Sequence, residues 1–186
     1  MRGRRVHVQA VLLAALVSGL TGCATPRYEV AELASALAAD GIRAGDVRFQ
    51  GHVRYGRTAE FETRVPFFDA MLVVTDSAVV LYSDDNAGTE LKADATIPIP
   101  AIDRAAVYRW GQGGRYQQLQ LTQGAVVYGI FVEPPNSGVA GTREGTAAAV
   151  SALTGTGVEF EPPPTTSAAN FIHVIMPDGL GGGFEF

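Results

Sequence analysis

Two apolar runs separated by three polar residues constrain the fold of this chain most. The runs are residues 71–74 and 78–82, and Thr-Asp-Ser at 75–77 stands between them. β-branched and aromatic side chains favour strands, and a short polar interruption between two such runs is typical of a hairpin. The pattern therefore predicts an antiparallel hairpin over 70–83, buried on at least one face.

Similar runs elsewhere predict a chain rich in short strands. Leu119 and Leu121 are expected to face the core, and Gln118 and Gln120 the solvent, because successive strand residues point to opposite faces. The prolines around residues 96–99 favour an edge strand there. The strands predicted besides the hairpin are 47–55, 60–66, 96–99, 105–110, 116–122, 125–132 and 171–176.

Two helices are predicted, one before and one after most of the strands. Residues 29–39 repeat apolar side chains at i, i+3, i+4 and i+7, and Gly41 is the expected end. Thr142 is predicted to cap a second helix that runs to residue 153, with Gly155 past its end. This second helix is expected to bury Ala147, Val150 and Leu153.

The order of several meandering strands followed by one amphipathic helix resembles the PH-like superfold, in its GRAM and bacterial PH-like branch. The hairpin at 72–82 and the Ile-Pro segment at 97–107 carry this resemblance, which covers about 65–154. We expect an α+β fold that is mainly antiparallel β: a small PH-like barrel or sandwich with an N-terminal helix and a C-terminal capping helix. The resemblance implies a scaffold that binds phospholipid headgroups, peptides or proteins without catalysis. The hairpin lacks the basic residues with which lipid-binding members hold phosphates.

The first 22 residues have the composition of an export signal. Arginines in the first five positions precede an almost purely apolar stretch at 10–20, which is shorter than the ~20 residues of a membrane-spanning helix. The stretch ends in a four-residue motif composed of Leu20, Thr21, Gly22 and Cys23. This motif resembles the lipobox of bacterial lipoproteins, which implies cleavage before Cys23 and attachment of diacylglycerol and palmitate to its thiol. An ordinary secretory signal with a chance cysteine and an uncleaved anchor are the alternatives.

The sequence is predicted to consist of four parts. We expect a signal peptide at 1–22, a lipidated tether at 23–28, a single globular domain at 29–160 and a Pro/Gly-rich tail at 161–186. Loss of the three leader arginines takes the formal net charge from −5 to −8. An acidic domain argues against nucleic-acid binding, which needs clustered Lys and Arg.

No catalytic, cofactor or metal site is predicted. His52 and His173 are far apart in the sequence, and the acidic loop at 84–90 lacks the spacing of an EF-hand. The glycine-rich stretch at 111–114 follows a strand but opens no helix, so it is read as a turn and not as a phosphate site.

One candidate interaction surface flanks that glycine turn. Aromatic and arginine side chains dominate binding hot spots in protein interfaces, so their clustering here predicts a partner-binding edge if they are exposed together. The alternative is that they pack into the core or cap the barrel. The residues of this predicted edge are Tyr108, Arg109, Trp110, Arg115 and Tyr116.

Together these features predict a lipid-anchored protein of the cell envelope that acts as a non-catalytic binding or assembly module. Its expected partners are the membrane, through the lipid on Cys23, and another envelope protein. Ala24 follows the cysteine, and by resemblance this favours the outer membrane, facing the periplasm. An envelope hydrolase that uses carboxylates, or a purely structural lipoprotein, remains as an alternative.

Overall fold

The computed structural model describes residues 30–59, 64–84, 90–110, 112–114, 116–133, 141–162 and 176–177. Two helices lie in these residues, α1 (Val30–Ala39) and α2 (Arg143–Gly155). The strands of these residues are β1 (Val47–Ala59), β2 (Arg64–Val65), β3 (Phe68–Thr75), β4 (Ala78–Asp84), β5 (Leu91–Pro98), β6 (Arg104–Trp110), β7 (Tyr116–Gln123), β8 (Val126–Val132) and β9 (Met176–Pro177).

The long strand β1 organises the fold because it pairs along both of its edges and so joins the two halves of one seven-stranded sheet. Its residues 47–55 pair antiparallel with β3, and its residues 53–59 pair antiparallel with β8. The complete strand order is β5-β4-β3-β1-β8-β7-β6. One buried cluster contains apolar side chains from both halves of this sheet, so the two halves pack face to face as a sandwich. The prediction of an edge strand near the prolines is confirmed, because β5 is the outermost strand of its half.

Helix α2 closes one end of the sandwich. It contacts β1, β3, β7 and β8, and its Ala149 and Leu153 belong to the main core. Seven antiparallel strands with an N-terminal helix and a C-terminal capping helix are the PH-like architecture that the sequence predicted.

The predicted hairpin is confirmed, and α1 explains why it is apolar on both faces. Consecutive residues such as Leu72 and Val73 are both fully buried, one in the sandwich core and the other against α1. Helix α1 contributes Leu33 and Leu37 to this second cluster. The Tyr82 hydroxyl also donates a hydrogen bond of 2.7 Å to Asp40 Oδ2, just past the end of α1.

The outer face of the other half is buried in the middle of β7, which contradicts the prediction for that strand. Leu119 and Leu121 face the core as expected, but Gln118 and Gln120 are 0% and 4% exposed. Gln120 Nε2 donates a hydrogen bond of 2.7 Å to Gln118 Oε1, so the two amides satisfy each other in part. Beside them on β8, the Phe131 ring stacks on Phe67 with centroids 5.0 Å apart.

Helix α2 begins where predicted but continues further, and of the three residues predicted to be buried only Leu153 is fully so. Thr142 Oγ1 accepts a hydrogen bond of 3.1 Å from the Gly145 amide, which confirms the cap. Gly155 is the last helical residue, and the chain leaves the helix at Gly157, whose φ of +92° suits glycine. Ala147 is exposed and Val150 only partly buried. The side chains or Cα atoms that face the sheets are those of Gly145, Thr146, Ala149 and Leu153.

Several strand boundaries also differ from the predictions. Strand β1 continues to Ala59, four residues beyond the predicted end, because β8 supplies a second pairing partner. Strand β5 begins at Leu91, five residues before the predicted start at residue 96. Of the predicted strands at 60–66 and 171–176, the described parts form the short parallel pair of β2 with β9, and residues 60–63 and 171–175 lie outside the described residues.

Candidate functional site: the β6–β7 hairpin and the groove beside α1

The predicted partner-binding edge lies on the hairpin of β6 and β7. Trp110 pairs with Tyr116 next to the turn, and Tyr108 pairs with Gln118 further along. Strand β6 is the outermost strand of its half of the sheet. Arg115 and the side chain of Trp110 lie outside the described residues.

The described members of this edge divide between two faces of the hairpin. Tyr108 and Tyr116 share the outer face with Gln118, whereas Arg109 lies on the opposite face. Tyr108 is 9% exposed and Tyr116 is 39% exposed. Tyr108 is buried, which agrees with the alternative prediction that the aromatic side chains of this edge pack into the core or cap the barrel. An exposed surface therefore remains at Tyr116 and, on the other face, at Arg109.

The surroundings of Tyr108 show how closely its ring is packed. Burial raises the pKa of its hydroxyl above the ordinary value, the positive charge of Arg104 opposes that rise, and the negative charge of Glu161 adds to it. Arg104 Nε and Glu161 Oε2 are 3.9 Å apart. The Glu161 amide also donates to the Ala105 carbonyl at 2.9 Å, so the chain after α2 is fastened along β6.

The sheet brings His52 close to an acidic residue that is distant in sequence. His52 Nε2 lies 3.8 Å from Asp69 Oδ1, and Arg54 Nε lies 3.5 Å from the same oxygen. His52 is a strand-face residue, as predicted from its position in β1. Among the described residues, no three His, Cys, Asp or Glu side chains are grouped closely enough to hold a metal ion.

Other predicted positions fall outside the described part of the chain. These include His173, the central residues 85–89 of the acidic loop, and the lipobox Leu20, Thr21, Gly22 and Cys23. At the ends of that acidic loop, Asp84 closes β4 and Glu90 Oε2 lies 3.3 Å from Lys92 Nζ. Within the described residues, neither helix is long and apolar enough to cross a bilayer.

A groove that the sequence did not indicate runs between α1 and the start of β1. Its volume is about 770 Å³, within the usual range of small-molecule sites. The lining side chains come from α1, from the connection after it and from β1. Apolar periodicity marks the side of α1 that packs on the sheet, but it carries no information on the space left beside the helix, so sequence reasoning had no signal for this groove.

No protein-family model matches the sequence, and a search of curated proteins returns no match. Similar solved structures include Vav1 with an allosteric inhibitor, at 13% identity and a TM-score of 0.41 over 59% of this chain and 26% of that chain. The linker-DH/PH fragment of p115-RhoGEF has 10% identity and a TM-score of 0.39 over 63% of this chain and 30% of that one. The hSac2 domain from the human phosphoinositide phosphatase Sac2 has 11% identity and a TM-score of 0.43, over 75% and 95% of the two chains.

The matched regions thus span about a quarter of the Vav1 chain and less than a third of the p115-RhoGEF chain. The fold assignment rests on the strand order and the capping helix, and these likenesses say nothing about activity or partners.

Proposed function

We propose that this protein is a lipoprotein of the bacterial cell envelope whose PH-like domain binds another envelope protein without catalysing a reaction. The order of three features in the leader supports this proposal. Arginines come first, a short apolar stretch follows, and the only cysteine of the chain comes last, in Leu-Thr-Gly-Cys. Each methylene of an acyl chain contributes about 0.8 kcal/mol to membrane binding, and two or more chains make the anchor stable.

The anchor holds the domain close to the bilayer. Seven residue steps join Cys23 to Val30, the first residue of α1, and a chain of that length reaches at most about 25 Å when fully extended. Lipidation therefore keeps the N-terminus of α1 near the membrane surface, with the domain available to partners in the aqueous compartment. Ala24 favours the outer membrane, facing the periplasm, as the location.

Labelling tests the anchor. Cells that express the full chain are fed a radioactive or clickable fatty acid, and the protein is followed by electrophoresis. We expect the native chain to be labelled and cleaved, and Cys23→Ser to be unlabelled and to remain at precursor size. A Thr21→Ala variant keeps a small residue before the cysteine and serves as the matched control, which should still be labelled. Continued labelling of Cys23→Ser would refute the lipoprotein assignment.

In-cell photocrosslinking tests the binding module. A photoreactive amino acid replaces Tyr116 in one strain and Val126 in another, because these side chains have nearly equal exposures of 39% and 37% at different places on the sheet. We expect one recurring envelope protein to be captured from position 116 and not from position 126. Equal capture from both positions, or none from 116, would contradict the proposed surface.

A further inference from the structure

The groove beside α1 has an apolar floor. Leu33 and Leu37 border it from α1, Ile42 from the connection, and Val47 and Phe49 from β1. Leu33 and Leu37 are buried against the sheet, while Ile42, Val47 and Phe49 are only partly buried. The partly buried side chains leave apolar surface that a narrow hydrocarbon could cover.

The charged residues of the groove are positive. Arg43 and Arg48 line it, and no carboxylate is among the described lining residues. Arg48 is engaged with Asp76, on the side of β1 that faces α2. Arg43 is exposed, and among the described residues no ion pair is found for it. Two carboxylates lie three residues from Arg43 in sequence: Asp40 accepts the hydrogen bond from Tyr82, and Asp46 lines the neighbouring pocket beside α2 and not this groove. A guanidinium in the lining of an apolar groove suits an anion attached to a hydrocarbon chain.

The groove lies close to the proposed anchor, and this position indicates which molecules could supply such a ligand. The lining residues of α1 begin at Leu33, three residues after Val30, which is about 4.5 Å along the helix axis. With the ~25 Å limit on the tether, the near end of the groove stays within reach of the lipid headgroups. The molecules that combine hydrocarbon with negative charge there are the anionic lipids of the bilayer.

We propose that the groove between α1 and β1 binds one acyl chain of an anionic membrane phospholipid, with Arg43 paired to the phosphate of its headgroup. This inference rests on the proposed lipid anchor, which supplies the proximity. It assigns to α1 a role besides packing: the helix forms one wall of the site. Arg43 supplies one positive charge on a domain whose net charge is negative. We therefore expect the domain to bind a single anionic lipid and not to be attracted to the membrane surface as a whole.

Photoactivatable lipids test this site. The processed, lipidated protein is reconstituted in phosphatidylcholine vesicles that contain a small fraction of phosphatidylglycerol with a diazirine in its acyl chain. After irradiation, peptide mapping locates the adducts. We expect adducts within residues 33–50, several-fold more abundant than with diazirine-labelled phosphatidylcholine at the same fraction.

Matched variants separate the groove from general proximity to the bilayer. Ala34→Trp fills the groove and should remove the adducts, whereas Ala31→Trp adds the same bulk to an exposed site on α1 outside the lining and should keep them. Arg43→Gln should abolish the preference for phosphatidylglycerol, and Arg57→Gln, an exposed arginine at the far end of β1, should not.

Three results would overturn the proposal: adducts absent from residues 33–50, adducts unaffected by Ala34→Trp, or equal labelling by both lipids in the native protein. The intact mass of the same sample reports whether Cys23 is acylated, so failure of the anchor is distinguished from failure of the groove. If acylation is missing, the Cys23→Ser chain in phosphatidylglycerol-containing micelles tests the groove alone, and adducts in 33–50 that Ala34→Trp removes would still support it.

Discussion

Replacing Leu153 by alanine should destabilise the whole sandwich, because this side chain joins the capping helix to the core. Leu153 is 0% exposed and belongs to the same buried cluster as Val53, Leu119 and Val132. The substitution removes three carbon atoms, and at ~0.8 kcal/mol for each buried methylene the transfer loss is about 2.4 kcal/mol. The cavity adds to this loss, since α2 packs against strands of both halves of the sheet and the site collapses only in part.

The expected total is about 3 to 4 kcal/mol in the free energy of unfolding, within the range of buried Leu→Ala substitutions. For a domain of this size, that corresponds to a fall of about 10 °C or more in Tm. Thermal unfolding of the purified protein, followed by circular dichroism, measures it. Val150→Ala is the control on the same helix, because Val150 is only partly buried and should lose about 1 kcal/mol or less.

Equal effects of Leu153→Ala and Val150→Ala would refute the assigned face of α2. A loss below about 1 kcal/mol at Leu153 would refute the role of the helix as a part of the core.

Two further substitutions test the attachment of α1 and one turn. Tyr82→Phe removes the hydrogen bond to Asp40 and should cost about 1 to 2 kcal/mol in urea unfolding. Burial and the hydrogen bond to Asp40 raise the pKa of Tyr82 above its ordinary 10.0, so its contribution to stability is complete below about pH 10 and is lost as the pH rises further. Tyr82→Phe should therefore flatten the alkaline decline in stability, and an unchanged decline would contradict this. Gly124→Ala should cost about 1 to 2 kcal/mol because φ there is +57°, whereas Gly45→Ala, at a site with equal space and no positive φ, should cost little. Equal costs at the two glycines would show that backbone strain at 124 is not the cause.

The sequence predicted those parts of the fold that depend on neighbours along the chain. The hairpin of β3 and β4 follows from two β-branched runs around a polar turn, and the N-terminus of α2 follows from the capping side chain of Thr142. The positions of both helices and the inward side chains of β7 follow from periodicity alone. The leader and Cys23 are likewise readable only from the sequence, since they lie outside the described residues.

Tertiary structure decided what lies over each face. Periodicity shows that Gln118 and Gln120 share a side of β7, but only the tertiary structure shows that both side chains are buried there. In the same way, the alternation along β6 and β7 separates Tyr108 and Tyr116 from Arg109, and burial then removes Tyr108 from the predicted edge.

The groove beside α1 arises in the same way, from elements that are adjacent in sequence but leave space between them in three dimensions. Its walls are residues that the sequence marks only as helix, connection and strand. Local sequence determines which side chains share a face, because that depends on the backbone repeat. The element that covers the face, and the space left uncovered, depend on the packing of the whole chain, so they could be read only from the tertiary structure.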